Sequence, residues 1–251
     1  MADEAPPDAG DNEDDRGRQT RLSRERVLGA ALELVDHEGL SALSMRRVAA
    51  ELDVEAMALY RYTSSKDGLL DGLVEALYIE LNDALANPTT DPHGKKPRTP
   101  SSTPHWRAEL HRIASATYQV SLAHPHAVPL LATRMLAVPL ARRPPAVLKD
   151  HERMLELLVE AGLDAQDAAT AFRAVTAWIL GYILTELRAM VDDPDESDPA
   201  FRLGLHHMPV KEFPMLRALA LDLSVQGGLK GLSDGLEALL DCFVPGVADD
   251  R

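Results

Sequence analysis

An all-α protein is predicted by three observations. The 251 residues include 39 Leu and 35 Ala but only 16 Val and 4 Ile, which favours straight-chain helix formers over the β-branched residues that strands prefer. Apolar residues recur at intervals of three and four along most of the chain. Ser or Asp stands at the start and Gly at the end of several of these periodic stretches, as helix caps require. With 45 % hydrophobic residues the chain can fill one large or two modest cores. Its 26 bases and 40 acids give a net charge of −14, which speaks against indiscriminate polyanion binding by the whole surface. The single cysteine, Cys242, excludes an internal disulfide and is expected to be a buried small apolar residue, a reactive thiol being the alternative.

Residues 1–20 carry seven acids before Arg16, together with Pro6, Pro7 and Gly10, and read as a disordered acidic tail. That start lacks the basic and apolar regions of an export signal. The longest uncharged apolar stretch, Ala174 to Thr185, is shorter than the roughly 20 residues that span a bilayer. A cytoplasmic protein without a membrane partner is expected. The first helix is predicted over Arg24 to Glu38, where Val27, Leu28, Ala31, Leu32, Leu34 and Val35 make one apolar face and Gly39 ends it. Ser44 caps a helix over Met45 to Leu52, a short segment runs from Glu55 to about Tyr62, and Lys66 opens a helix to Ala86. Residues 87–104 contain five prolines and read as a linker or loop. Further helices are predicted at about 105–123, 125–138, 144–161 and 164–190, with Gly162 as a stop and Asp164 as a cap. After an acidic loop at 192–198, Met215 to Val225 and Ser233 to Phe243 complete the set, with Gly227 and Gly228 as breakers.

The informative segment is Ser44 to Tyr62. A helix-turn-helix needs a small residue where its two helices touch and apolar residues that pin them; Ala49 supplies the first, and Val48, Leu52, Val54 and Leu59 the second. Asp53 stands in the turn, where a positive φ is wanted and Asp enters more easily than most residues. With its flanks, the stretch GLSALSMRRVAAELDVEAMALYRYTSSKDGLLDGLVE resembles the DNA-binding domain of the TetR family of transcriptional regulators. The resemblance covers about residues 22–80, from Glu38-Gly39-Leu40 through Leu59-Tyr60 to Ser65-Lys66-Asp67 and Leu69-Leu70. It implies an N-terminal three-helix helix-turn-helix DNA-binding domain with its connecting helix at 21–86. A larger helical effector-binding and dimerisation domain is implied at 105–251. It also implies a homodimer that reads a palindromic operator in double-stranded DNA and releases it when a small effector binds.

Positive charge is confined to the module that the motif nominates. Residues 16–66 hold nine bases and seven acids, whereas residues 67–251 hold 17 and 26. The resemblance implies Met45, Arg46, Ala56, Met57, Ala58, Tyr60, Arg61, Tyr62 and Lys66 as DNA-binding residues. Arg46 can pair bidentately with guanine, the alternative being a solvated surface arginine. Ala56, Met57 and Ala58 can meet thymine methyls but donate no hydrogen bond. Tyr60, Arg61, Tyr62 and Lys66 suit phosphates, although the two tyrosines could instead pack beneath the recognition helix. Glu55 reads as a helix-capping acid, with a cytosine contact as the alternative.

In the C-terminal part, Trp106, Ile113, Thr117, Tyr118, Thr133, Met135, Phe172, Trp178 and Tyr182 are candidate effector-pocket residues, plain core being their alternative. This part is similar, more thinly, to the tetracycline-repressor branch through Trp106, His124-Pro125, Thr133-Arg134 and Leu180-Gly181. Leu130 and Thr185 fall where that branch's metal ligands would stand, so a magnesium chelate is not expected and an apolar or polyketide-like effector is. His105, His111, His124, His126 and His151 have irregular spacing without HExxH or a cysteine pair, so no metal site and no cofactor are expected. Phosphate-loop, dinucleotide and GxSxG motifs are missing from the sequence. The apolar stripes of 164–190 and 233–243 suit a four-helix dimer interface, or else an intrachain core. The expectation is a repressor released from its operator by a small molecule, and not an enzyme. Its rivals are a ligand-independent regulator or activator and a helical cofactor-independent enzyme.

Overall fold

The computed structural model describes residues 22–87, 103–187, 207–209, 211–224 and 227–244. The expected acidic tail, most of the 87–104 linker and the 192–198 loop lie outside the described residues. Among those described, ten α-helices and two 3-10 turns form the regular structure and no strand occurs, so the protein is all-α. The chain divides into two compact units, one up to Leu73 and one from Val74.

The first unit contains α1 (Arg24–Glu38), a 3-10 turn (Leu40–Ala42), α2 (Met45–Glu51), α3 (Ala56–Leu59) and the first part of α4 (Lys66–Ala86). Serines start three of these helices. Ser23 Oγ accepts from the Arg26 amide and Ser44 Oγ from the Arg47 amide, each at 3.3 Å, while Ser65 Oγ accepts from the Gly68 amide at 3.0 Å. Gly39 ends α1 at φ 81°. Val27, Leu34, Val35, Leu43, Val48, Leu59, Leu69 and Leu73 are buried and make one small core. The helix expected over Glu55 to Tyr62 is a single turn, because the Tyr62 and Thr63 amides both close onto the Leu59 carbonyl, at 2.8 and 3.0 Å.

The second unit holds the rest of α4 with α5 (His105–Ala123), α6 (Val128–Ala137), a 3-10 turn (Leu140–Arg142), α7 (Pro145–Glu160), α8 (Ala165–Glu186), α9 (Pro214–Ser224) and α10 (Gly228–Phe243). Asp164 caps α8 as expected: its Oδ1 accepts from the Gln166 and Asp167 amides at 2.9 Å. α8 is the hub and packs on α5, α6, α7 and α10. It is long and apolar enough to satisfy a composition test for a membrane span, yet its partners are other helices of this unit. Arg107 on α5 is buried beside α10, where Nη1 donates to Glu237 at 2.5 Å and to Asp241 at 2.7 Å. Pairing of this kind is what makes a buried guanidinium tolerable.

Two expectations are corrected here. The last helix begins at Gly228 and not at Ser233; of the two glycines read as breakers, Gly227 is its cap and Gly228 its first residue. Close approach of α8 explains the glycines inside it. A Cβ on Gly231 would lie 2.4 Å from the Tyr182 hydroxyl oxygen, and one on Gly235 would lie 2.0 Å from Trp178 Cζ2. The absent side chains let Trp178 Nε1 donate to the Leu232 carbonyl at 3.2 Å and the Tyr182 hydroxyl to the Gly228 carbonyl at 2.9 Å. Cys242 is exposed rather than buried. The inward face of α10 is set by Leu232, Leu236 and Leu240, four residues apart, and position 242 falls two residues off that stripe.

Candidate nucleic-acid interface and effector cavity

Ala49 at 2 % exposure and Val48 and Leu59 at 0 % form the contact between α2 and α3, with Leu52 and Val54 half-buried beside them. The turn between them closes through the Val54 amide onto the Ala49 carbonyl at 3.0 Å, and Asp53 sits at φ 51°. Asp53 is the one non-glycine positive φ among the described residues. The local sequence therefore builds the steep helix pair that the motif requires.

On this scaffold Arg46 points to solvent and forms no ion pair among the described residues. Its neighbour Arg47 is held by both carboxylate oxygens of Glu38, with Nη1 at 2.6 Å from Oε2. The pair holds the Glu38 carboxyl below its ordinary range and raises the arginine. Met57 is 73 % exposed and Tyr60 48 % exposed, both displayed by the single turn of α3. Arg61 and Lys66 are also exposed, while Met45, Ala56 and Ala58 are intermediate. Tyr62 is half-buried, and its hydroxyl donates to the Leu22 carbonyl at 2.7 Å, tying the segment after α3 to the chain that enters α1. Glu55 occupies the cap position of α3, but its side chain makes no cap hydrogen bond. Its extra methylene distinguishes it from the shorter Asp and Asn that reach first-turn amides.

In the second unit a small cavity, partly open to solvent, lies among α4, α5, α7 and α8. Tyr78, Ile113, Thr117, Asp150, His151, Met154, Thr176, Ile179 and Leu180 line it. Asp150 and His151 are 4 % and 5 % exposed. Burial pushes the Asp150 carboxyl up to about 6, against the pull of Arg153, and it pushes His151 down to about 4, assisted by Arg143. The His151 ring is edge-on to Phe172 at 5.1 Å and to Tyr78 at 6.2 Å.

Residues 27–73 match the family model described as bacterial regulatory proteins of the tetR family, and residues 99–247 match the tetracyclin repressor-like C-terminal domain. The chain belongs to the TetR family. This TetR-family chain is accordingly a transcriptional regulator and not an enzyme. It is 30 % identical over 238 residues to the HTH-type transcriptional repressor DrrR1 of Streptomyces coeruleorubidus, covering 90 % of this chain and 81 % of that one. It is 31 % identical over 165 residues to an HTH-type transcriptional regulator of Saccharopolyspora erythraea, spanning 66 % of this chain and 61 % of that relative. Among solved structures, the TetR family protein ActR of Streptomyces coelicolor in complex with actinorhodin is similar at TM-score 0.67. It is 25 % identical, with 92 % of this chain and 99 % of that one covered.

Of the regulator's candidate pocket residues, Ile113 and Thr117 line the cavity, and Phe172 touches it through His151. Trp106 is buried under the Arg107 guanidinium, 4.9 Å from its centre, and Tyr118 is buried on the same helix. Trp178 and Tyr182 are engaged with α10, and Thr133 is exposed with its hydroxyl donating to the Pro129 carbonyl at 2.7 Å. The Met135 side chain falls outside the described residues. The histidines are scattered: His105 lies near Glu160, His111 near Glu237 and Ser233, and His124 near Glu80. Among the described residues, no cluster of three His, Cys, Asp or Glu side chains suited to a metal occurs. Asp150 was not among the sequence candidates, and nothing in the spacing of α7 singles it out. The sole signal is an acid on the apolar face shared by Val147, Met154, Leu157 and Leu158.

Proposed function

We propose that the chain is a cytoplasmic homodimeric repressor that binds a palindromic operator through the 21–86 module and leaves it when a small molecule occupies the 105–251 domain. The observation that carries this reading is the display of Arg46, Met57 and Tyr60 on a buried helix-turn-helix scaffold. A methionine with 73 % of its surface in water on a one-turn helix is poorly explained by folding and well explained by a thymine methyl to cover. Arg46 reads a base edge, Met45, Ala56 and Ala58 shape the groove contact, and Tyr60, Arg61, Tyr62 and Lys66 fix register on phosphates. Tyr62 gives its hydroxyl proton to the Leu22 carbonyl, so its oxygen reaches a phosphate through a bridging water.

Dimerisation is supported by α8, of which 28 % of the most apolar stretch is buried within one protomer. Thr170, Ala177, Gly181 and Thr185 make an exposed stripe of small residues along it, against which a second copy's helix can approach closely. Effector response is supported by the cavity and by α4, one continuous helix that carries Tyr78 at the cavity and Leu69 in the first core. A ligand that fits one position of α4 shifts the population between operator-competent and incompetent states. The complex of ActR with actinorhodin favours a polyketide-like class of effector. The test is retention on operator DNA of Arg46→Ala combined with Lys66→Ala. Loss of retention with an unchanged melting temperature supports the reading, and intact retention contradicts it.

A further inference from the structure

The cavity carries more polar groups than the protein satisfies. Asp150 Oδ1, both ring nitrogens of His151 and Thr176 Oγ1 are buried without a hydrogen-bond partner. Each such group is costly in an apolar setting, and three side chains gathered in one cavity constitute a binding pattern rather than three separate defects. Asp150 and His151 are adjacent on α7 and Thr176 faces them from α8, with Ile113, Met154, Ile179 and Leu180 around them. Thr117 uses its own hydroxyl proton on the Ile113 carbonyl at 2.9 Å, so it is not part of the unsatisfied set.

The complement of this set can be read group by group. Asp150 Oδ1 needs a donor. Neutral imidazole offers one donor and one acceptor, and the threonine hydroxyl offers either. A ligand that supplies an O–H and an oxygen acceptor side by side meets Asp150 together with either the His151 N–H or the Thr176 hydroxyl; a carboxylate ligand supplies no donor and meets the Asp150 carboxyl. No lysine or arginine lines the cavity to receive an anion. The nearest guanidinium groups are turned to other partners, Arg153 to Glu109 at 2.6 Å and Arg143 Nε to the Val138 carbonyl at 3.2 Å. The rings of Tyr78 and Phe172 flank His151 and favour a flat aromatic body.

Resting on the effector reading above, we propose that the effector is an uncharged aromatic hydroxyl compound. Its O–H is donated to Asp150 and its oxygen accepts from His151 or Thr176, and anionic carboxylates of the same shape are rejected. 1-Naphthol, 1-naphthoate and 1-naphthylmethylammonium serve as probes of one flat aromatic body with three head groups.

The experiment is calorimetric titration of the full chain with each probe, in the wild type and in Asp150→Asn and Thr176→Val. The wild type is expected to bind 1-naphthol at least tenfold more tightly than either charged probe. Asp150→Asn should weaken naphthol at least threefold and strengthen naphthoate at least threefold. Misfolding cannot produce that gain. Thr176→Val, nearly isosteric, should weaken naphthol with an unchanged circular dichroism spectrum, and it keeps the test open if Asp150→Asn does not fold. If a charged probe binds best and Asp150→Asn shifts its affinity, the cavity is the effector site and the ligand class is overturned. Naphthol binding that neither substitution alters, or no naphthol binding, overturns the cavity as the effector site, and the proposal with it.

Discussion

Arg47 and Glu38 form a two-pronged ion pair that links the start of α2 to the end of α1, and this leaves the adjacent Arg46 as the uncommitted guanidinium of the pair. The two arginines therefore have different work despite their adjacency. Arg46→Ala is expected to lower operator affinity about 10- to 100-fold, the range of one bidentate base contact. Arg47→Ala should lower it less than about threefold. Fluorescence anisotropy with operator duplex at physiological salt measures both, and equal losses would contradict the assignment.

Asp53 holds the helix-turn-helix turn at φ 51°. Asp53→Ala should destabilise the protein by about 1 kcal/mol, whereas Asp53→Gly should be neutral or slightly stabilising. Urea melts of the two variants make the comparison. Equal destabilisation would show that the Asp side chain, rather than its tolerance of positive φ, is what the turn needs.

The α8–α10 contact depends on missing methyl groups. Gly235→Ala puts a carbon 2.0 Å from a rigid indole and should cost about 1–3 kcal/mol through forced displacement. Gly181→Ala, where no atom lies within 4 Å, should change stability by less than about 0.5 kcal/mol within the protomer. Denaturant unfolding at low protein concentration separates the two, and a tolerated Gly235→Ala would refute the packing account.

Asp150 and His151 shift in opposite directions, and their effects on stability oppose one another. Asp150, raised to about 6, contributes stability that is complete below its ordinary 3.8 and lost as pH rises through 6. His151, lowered to about 4, contributes no penalty above its ordinary 6.5 and a growing one as pH falls toward 4. Between those limits the folded state carries one extra proton on Asp150 and the unfolded state one on His151, so the pair should cancel. Asp150→Asn should leave stability falling as pH drops from 6.5 to 4.5. His151→Phe should leave it rising over the same range. Each slope has a ceiling of about 1.4 kcal/mol per pH unit. Urea melts at three pH values test this, and parallel profiles for the two variants would contradict it.

The sequence disclosed the helices whose ends carry chemical signals. Ser44 and Asp164 cap where expected, and Gly39 and Gly162 end helices at φ 81° and 93°. It misplaced the start of α10, because a Gly-Gly pair that breaks a helix and one that caps and opens it look the same in sequence, and here Gly227 is the cap and Gly228 the first residue. The outward position of Cys242 follows from the register of Leu232, Leu236 and Leu240, which the later start of the expected helix obscured. The helix-turn-helix that leaves Arg46 and Met57 exposed was legible because it is a local motif. The Asp150, His151 and Thr176 set was not, because it joins two helices whose facing sides only the tertiary packing defines.

The claim that this chain is an operator-binding regulator is tested most directly by gel shift of the full protein against genomic fragments at physiological salt. The account predicts at least one palindromic site bound more than about tenfold over random DNA, with affinity falling steeply as salt rises. Binding to no fragment above that margin, or to all fragments equally, would contradict it.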